Sequence, residues 1–151
     1  MEMARTAAYE RTKEMTEEIK KIIDTYEEKG DFTYTTITND QIEEAQKALG
    51  VKIPEQYLDF LRTYGHGGIG GIEIIGIGKS GKMLFLDETL KYREYGLDEK
   101  LILIENCDEW VYCIDCKNNR IVSWSRDDMQ DAYADFDSYL LDRFTDAAEN
   151  L

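Results

Sequence analysis

Few side chains in this 151-residue chain could make or break a bond. Its single histidine, His66, lies in the run Gly65-His66-Gly67-Gly68-Ile69-Gly70. That run matches G-x-G-x-x-G, whose glycines let backbone N–H groups approach a dinucleotide pyrophosphate. The chemistry needs a strand before the turn and a helix after it, so that the helix N-terminus faces the phosphates. Here a helical pattern precedes and a β-branched pattern follows, so the run reads as a corner that turns helix into strand. Gly78-Lys79-Ser80 resembles the end of a Walker A loop, but the first glycine of that motif would fall on Glu73, and Gly81 interrupts the helix that should follow. Cys113 and Cys116 form one C-x-x-C, with Cys107 nearby. Structural zinc needs four ligands, usually with a second such pair, and a thioredoxin-like pair would open a helix. This pair sits at a strand end beside a Lys-Asn-Asn turn and reads as core or edge thiols. There is no G-x-S-x-G and no H-E-x-x-H, and His66 has no nucleophile partner by motif. No catalytic residue, metal site or cofactor is expected.

A different composition marks residues 105–131. There Trp110, Tyr112 and Trp124 stand among many carboxylates, and aromatic anchors ringed by charge are the composition of a protein-binding patch. The same rings could instead be core strand residues. The chain carries 32 acidic and 18 basic residues, a formal net charge of −14. That balance argues against binding nucleic acid phosphates or an anionic membrane surface. It favours encounter with a basic partner, and it also serves plain solubility. Pairs such as Asp127-Asp128 are expected by chance in so acidic a chain. No apolar run approaches the ~20 residues that span a bilayer. The start lacks the apolar core of a signal peptide, and three cysteines make no disulfide framework. A cytoplasmic location with reduced thiols is expected.

The elements that must position these residues follow from periodicity. Residues 6–29 read as a helix with the stripe Met15, Ile19, Ile22, Ile23 and Tyr26, ended by Gly30. The first dozen residues lack that stripe and are expected to fray. A polar link leads to Thr38, which with Gln41 fits a capping box. Ile42, Ala45 and Leu49 share one helical face, and Gly50 sits where a helix end wants positive φ. Pro54 opens a second helix whose face carries Tyr57, Phe60, Leu61 and Tyr64, stopped by Gly65. Residues 72–77 suggest a first strand. A helix follows from about Phe85, then strands at 101–104, 110–115 and 121–124, with 125–135 as an acidic connector. Phe136, Tyr139, Leu140, Phe144 and Ala147 define a closing amphipathic helix. Helices at both ends with strands between indicate an α+β fold, a single domain with an antiparallel or mixed central sheet and flanking helices. Residues 1–37 form an N-terminal helix and link belonging to the same domain as the core at 38–151.

The order of these features resembles the SUKH superfamily. Leu49, Gly50, Pro54, Tyr57, Phe60, Leu61, Gly67 and Gly68 occupy the Leu-Gly, Pro, Tyr-x-x-Phe-Leu and glycine-turn positions of its hallmark. The resemblance continues through residues 38–144 and looks close to small Bacillus-type members; the long N-terminal helix departs from the pattern. It implies a SUKH-like fold whose bacterial members are mostly immunity proteins that bind and neutralise toxins, often nucleases. A eukaryotic branch regulates cell-wall synthesis by protein contacts. Neither role implies catalysis, and the matched positions look like fold determinants.

The expectation is therefore a non-enzymatic immunity protein that blocks a cognate protein toxin, a basic nuclease domain, by direct binding. It would contact neither nucleic acid nor membrane. Acidic and aromatic composition places the contact surface at Glu105, Asp108, Glu109, Trp110, Asp127, Asp128 and Asp131. The rival readings are a regulatory adaptor unrelated to toxins and a small-ligand site in the glycine corner around His66.

Overall fold

The computed structural model describes residues 2–151, with side chains from position 13 on. Its order is α1 (Glu2–Tyr26), α2 (Asn39–Leu49), α3 (Glu55–Thr63), α4 (Leu84–Arg93), β1 (Leu101–Asn106), β2 (Val111–Asp115), β3 (Ile121–Ser125), β4 (Asp128–Tyr133) and α5 (Phe136–Glu149). This is one α+β domain with a four-stranded sheet. The strands lie in the order β1-β2-β3-β4 and every pairing is antiparallel. No described helix is long and apolar enough to cross a membrane.

Local signals set the helix ends. The Thr38 hydroxyl accepts from the Gln41 N–H and the Gln41 side chain accepts from the Thr38 N–H, both at 3.1 Å, which completes the capping box. Gly50 ends α2 at φ 72°, and its N–H donates to the Gln46 carbonyl. Pro54 is the N-cap of α3, one position outside the helix it was expected to open. Tyr57, Phe60 and Leu61 are buried against the sheet-side core with Phe85 and Phe136. α1 packs on α5. Its buried stripe is narrower than its periodicity suggests: Ile19 and Ile23 are in the core, Ile22 is half-buried and Tyr26 is exposed. The expected fraying of the first dozen residues concerns positions whose side chains lie outside the described residues.

Two strand assignments change. Residues 72–77 form isolated bridges instead of a strand, because their hydrogen bonds go to three different places. Ile74 exchanges bonds with Gly67, the Ile75 N–H donates to the Ile104 carbonyl, and the Ile77 N–H donates to the Gly65 carbonyl. The acidic connector contains β4, paired with β3. Both faces of β4 meet solvent, so it shows none of the apolar alternation by which strands are recognised.

The glycine corner is a backbone contact. The Tyr57 hydroxyl donates to the Ile75 carbonyl at 2.5 Å in the core. One residue on, a Cβ at Gly76 would overlap the Gly65 carbonyl, and one at Gly67 would overlap the Asp31 carbonyl. Gly71 has φ 85° and open space around it. We therefore expect Gly76→Ala to destabilise by about 3 kcal/mol in chemical denaturation, since the Gly65 carbonyl it would meet is held in place by the Ile77 N–H. Gly71→Asn should cost less than about 1 kcal/mol, because asparagine tolerates left-handed backbone.

Candidate functional site

In an antiparallel meander alternate connections share one end of the sheet, so the β1–β2 and β3–β4 turns lie at the same end. The first is held by its own polar groups. Asp108 adopts φ 67°, its N–H donates to the Asn106 side chain at 2.8 Å, and the Cys107 N–H donates to the Trp110 carbonyl at 2.9 Å. Asn106 in turn donates from Nδ2 to the Tyr92 hydroxyl on α4.

Register then decides which rings meet. Val111 pairs with Trp124 and Trp124 with Met129, so these three share one face, and Tyr112 alternates to the other. On the Tyr112 face α5 supplies Tyr139, with centroids 5.3 Å apart, and the Arg143 guanidinium lies 5.4 Å from the Tyr112 ring centroid. On the Trp124 face α4 supplies Tyr92, edge-on to Trp124 at 6.2 Å and to Tyr95 at 5.4 Å. Between Tyr92, Tyr95, Trp110 and Trp124 lies a cleft of about 200 Å³, with Asp108 and Glu109 at its rim. Arg126 enters it from the β3–β4 turn, its guanidinium 5.0 Å from the Tyr95 ring centroid.

The structure brings together Asp108, Glu109, Trp110, Asp127 and Asp128, all exposed, on this end of the sheet. Trp110 is 39% exposed, whereas Trp124 is half-buried and packs against the edge of the core. Asp131 lies farther along β4, its carboxylate 3.4 Å from Arg120 Nε. Glu105 does not join the surface. It is 4% exposed, receives two bonds from Arg143 at 3.1 and 2.5 Å, and accepts the Tyr139 hydroxyl. Burial, then the Glu105 charge, holds the Tyr139 phenol well above the ordinary tyrosine range, so it remains the donor. Glu105 belongs to a buried ion pair because Arg143, distant in sequence, arrives on α5. Tyr92, Tyr95 and Arg126 were missed as site residues. The two tyrosines stand three positions apart, which is a same-side helical spacing.

The other chemistry-bearing groups are engaged elsewhere. His66 Nδ1 accepts the Gly76 N–H at 3.0 Å, which places the ring hydrogen on Nε2, donated to Glu73 at 2.6 Å. Both ring nitrogens thus brace the corner. Cys113 is a core residue, while Cys107 and Cys116 are half-buried. Burial raises all three thiols, Cys107 and Cys116 to about 12, which leaves little thiolate. Among the described residues no three His, Cys, Asp or Glu side chains converge as a metal site. A larger groove of about 490 Å³ lies at the opposite end of the sheet, between Pro54, Gln56, Asn118 and Asp135, without such a ring cluster. At the α3–α5 contact, burial first and the Asp135 and Asp59 carboxylates second push Asp137 up to about 6.

Comparison with known proteins agrees with this architecture. A family model described as SUKH_5, SMI1-KNR4 cell-wall, matches residues 19–145. A crystal structure of a protein from Pseudomonas syringae pv. tomato is similar in fold. It aligns with a TM-score of 0.63 at 18% identity, covering 82% of this chain and 93% of that chain.

Two outcomes test these placements. Glu105→Gln should destabilise the fold by about 3 kcal/mol in urea, since it leaves Arg143 facing an uncharged partner, while Asp108→Asn should be nearly neutral. Asp137 is raised in the folded state, so its contribution to stability is full below the ordinary aspartate range and lost as pH rises through about 6. Asp137→Asn should therefore raise Tm at pH 7.5, and the gain should vanish near pH 4; an equal gain at both pH values would contradict the placement.

Proposed function

The chain belongs to the SMI1-KNR4 cell-wall family, and on that premise we propose that it neutralises a protein toxin by binding it directly, as an immunity protein. The observation that supports this most is the gathering of exposed carboxylates around half-exposed rings at one end of the sheet. Large rings supply contact area at low entropic cost, and a charged rim steers encounter without needing to be buried. A net charge of −14 matches a partner that is basic because it grips phosphates, such as a nuclease domain. Carboxylates held at Asp108, Glu109, Asp127 and Asp128 would then occupy subsites built for phosphate. The protein acts in the cytoplasm and performs no catalysis of its own in this reading. The description of the matching family favours a second reading, a regulatory adaptor working through the same surface. A neighbouring gene for a toxin with a variable C-terminal domain separates the two.

The test is co-purification with the product of that neighbouring gene, followed by growth rescue. Charge reversal at Asp108 with Glu109, or at Asp127 with Asp128, should weaken binding by about tenfold or more and flatten its salt dependence, with Tm unchanged. Variants that fold normally and still protect cells fully would remove this surface from the interface.

A further inference from the structure

The two outer edges of the sheet are treated differently. On the β1 side the Leu103 N–H donates to the Thr89 hydroxyl at 3.0 Å and the Ile104 carbonyl accepts the Ile75 N–H at 2.8 Å. On the β4 side nothing comparable occurs. Residues 128–132 are all exposed, and among the described residues no backbone hydrogen bond joins β4 to any element except β3. A strand paired along one edge leaves about half of its peptide groups pointing outward. Natural edges are blunted by charged side chains, lysine above all, by proline or by a bulge, and the irregularity of β4 lies only at its far end, where Ala132 is skipped between Asp131 and Tyr133. β4, with the sequence DMQDAY, has neither lysine nor proline; its only charges are Asp128 and Asp131.

We propose that β4 is a docking edge for a basic extended segment of the partner, which joins the sheet as a fifth strand; this rests on the reading of the partner as a basic protein. The charge of the edge selects the occupant. A second copy of this chain on the same edge would press two chains of −14 each together, with the aspartates of both brought onto adjoining strands. Asp128 and Asp131 are three positions apart and face opposite sides of the sheet, so a strand with lysine or arginine at alternate positions presents its cations on one face, where they meet Asp131 beside Met129. Asp131 already takes one guanidinium in this way, that of Arg120. The neighbouring position adds apolar area: Met129 is 46% exposed beside Trp124, so a strand on this edge continues the aromatic cleft across the same face.

The probe is a short synthetic peptide alternating lysine or arginine with valine and threonine, added to the full chain. Amide hydrogen exchange is read along β4. The expected result is exchange slowed by about tenfold or more at alternate β4 amides. N-methylation of alternate peptide amides, which keeps the charge and removes the pairing, should abolish it, as should glutamate in place of the cationic residues. Asp128→Lys with Asp131→Lys should weaken binding with Tm unchanged. Equal binding by the N-methylated peptide, or no β4 protection at millimolar parent peptide, overturns the proposal. The co-purified toxin separates the two readings. A bound toxin that leaves β4 amides unprotected defeats the docking edge and spares the function. Peptide protection without any toxin bound defeats the function and spares the edge.

Discussion

Everything in this molecule hangs on a place where backbone touches backbone. Gly76 lies against the Gly65 carbonyl, Gly67 exchanges hydrogen bonds with Ile74, and Tyr57 reaches from α3 to the Ile75 carbonyl. No side chain fits between these segments, so the corner has one geometry. It delivers residue 75 to the edge of β1 and places Phe85, at the start of α4, against Tyr57. His66 serves the same contact from the side, with one nitrogen on Gly76 and the other on Glu73. A glycine-rich run that could have cradled phosphate is consumed by closing the fold.

From that corner the coverage of the sheet becomes unequal. α4 lies beside β1 and reaches Trp124 only through Tyr92, while α5 covers the opposite face through Tyr139 and Arg143. Neither helix extends over the Trp124 face of β4. Rings that would be core residues under a longer helix stay half-exposed at the hairpin end, and carboxylates surround them. Glu105 and Arg143 form a firm base beneath, next to Asn106, which organises the first turn. A surface on such a base is held in shape, and pre-organisation of that kind is what lowers the entropy lost when a surface binds.

Much of the helical frame was legible from short-range signals. Thr38 with Gln41, Gly50 and the spacing of Tyr57, Phe60 and Leu61 each concern neighbours within one or two turns, and the structure keeps each of them. β4 was illegible because a strand wet on both faces has no alternation to read, and residues 72–77 misled because isoleucines there serve a bridge and a corner instead of a ladder. At the site, Trp110, Asp108, Glu109, Asp127 and Asp128 were named from composition and are brought together by the antiparallel order of the sheet. Tyr92, Tyr95 and Arg126 were not named, since their contact with the turn comes through the fold.

The sequence alone determined the α+β class, the capped ends of α2, the acidic balance and membership of the family, because caps, periodicity and net charge are properties of neighbours or of sums; the ends of α1, expected at 6–29 and found at Glu2–Tyr26, it did not. Only the tertiary structure decided which carboxylates face solvent. Glu105 and Asp108 are three residues apart in the same acidic run, yet Glu105 is buried by Arg143, which lies on a different element, while Asp108 is held outward by a turn. Burial depends on what arrives from elsewhere in the chain, and no local pattern carries that.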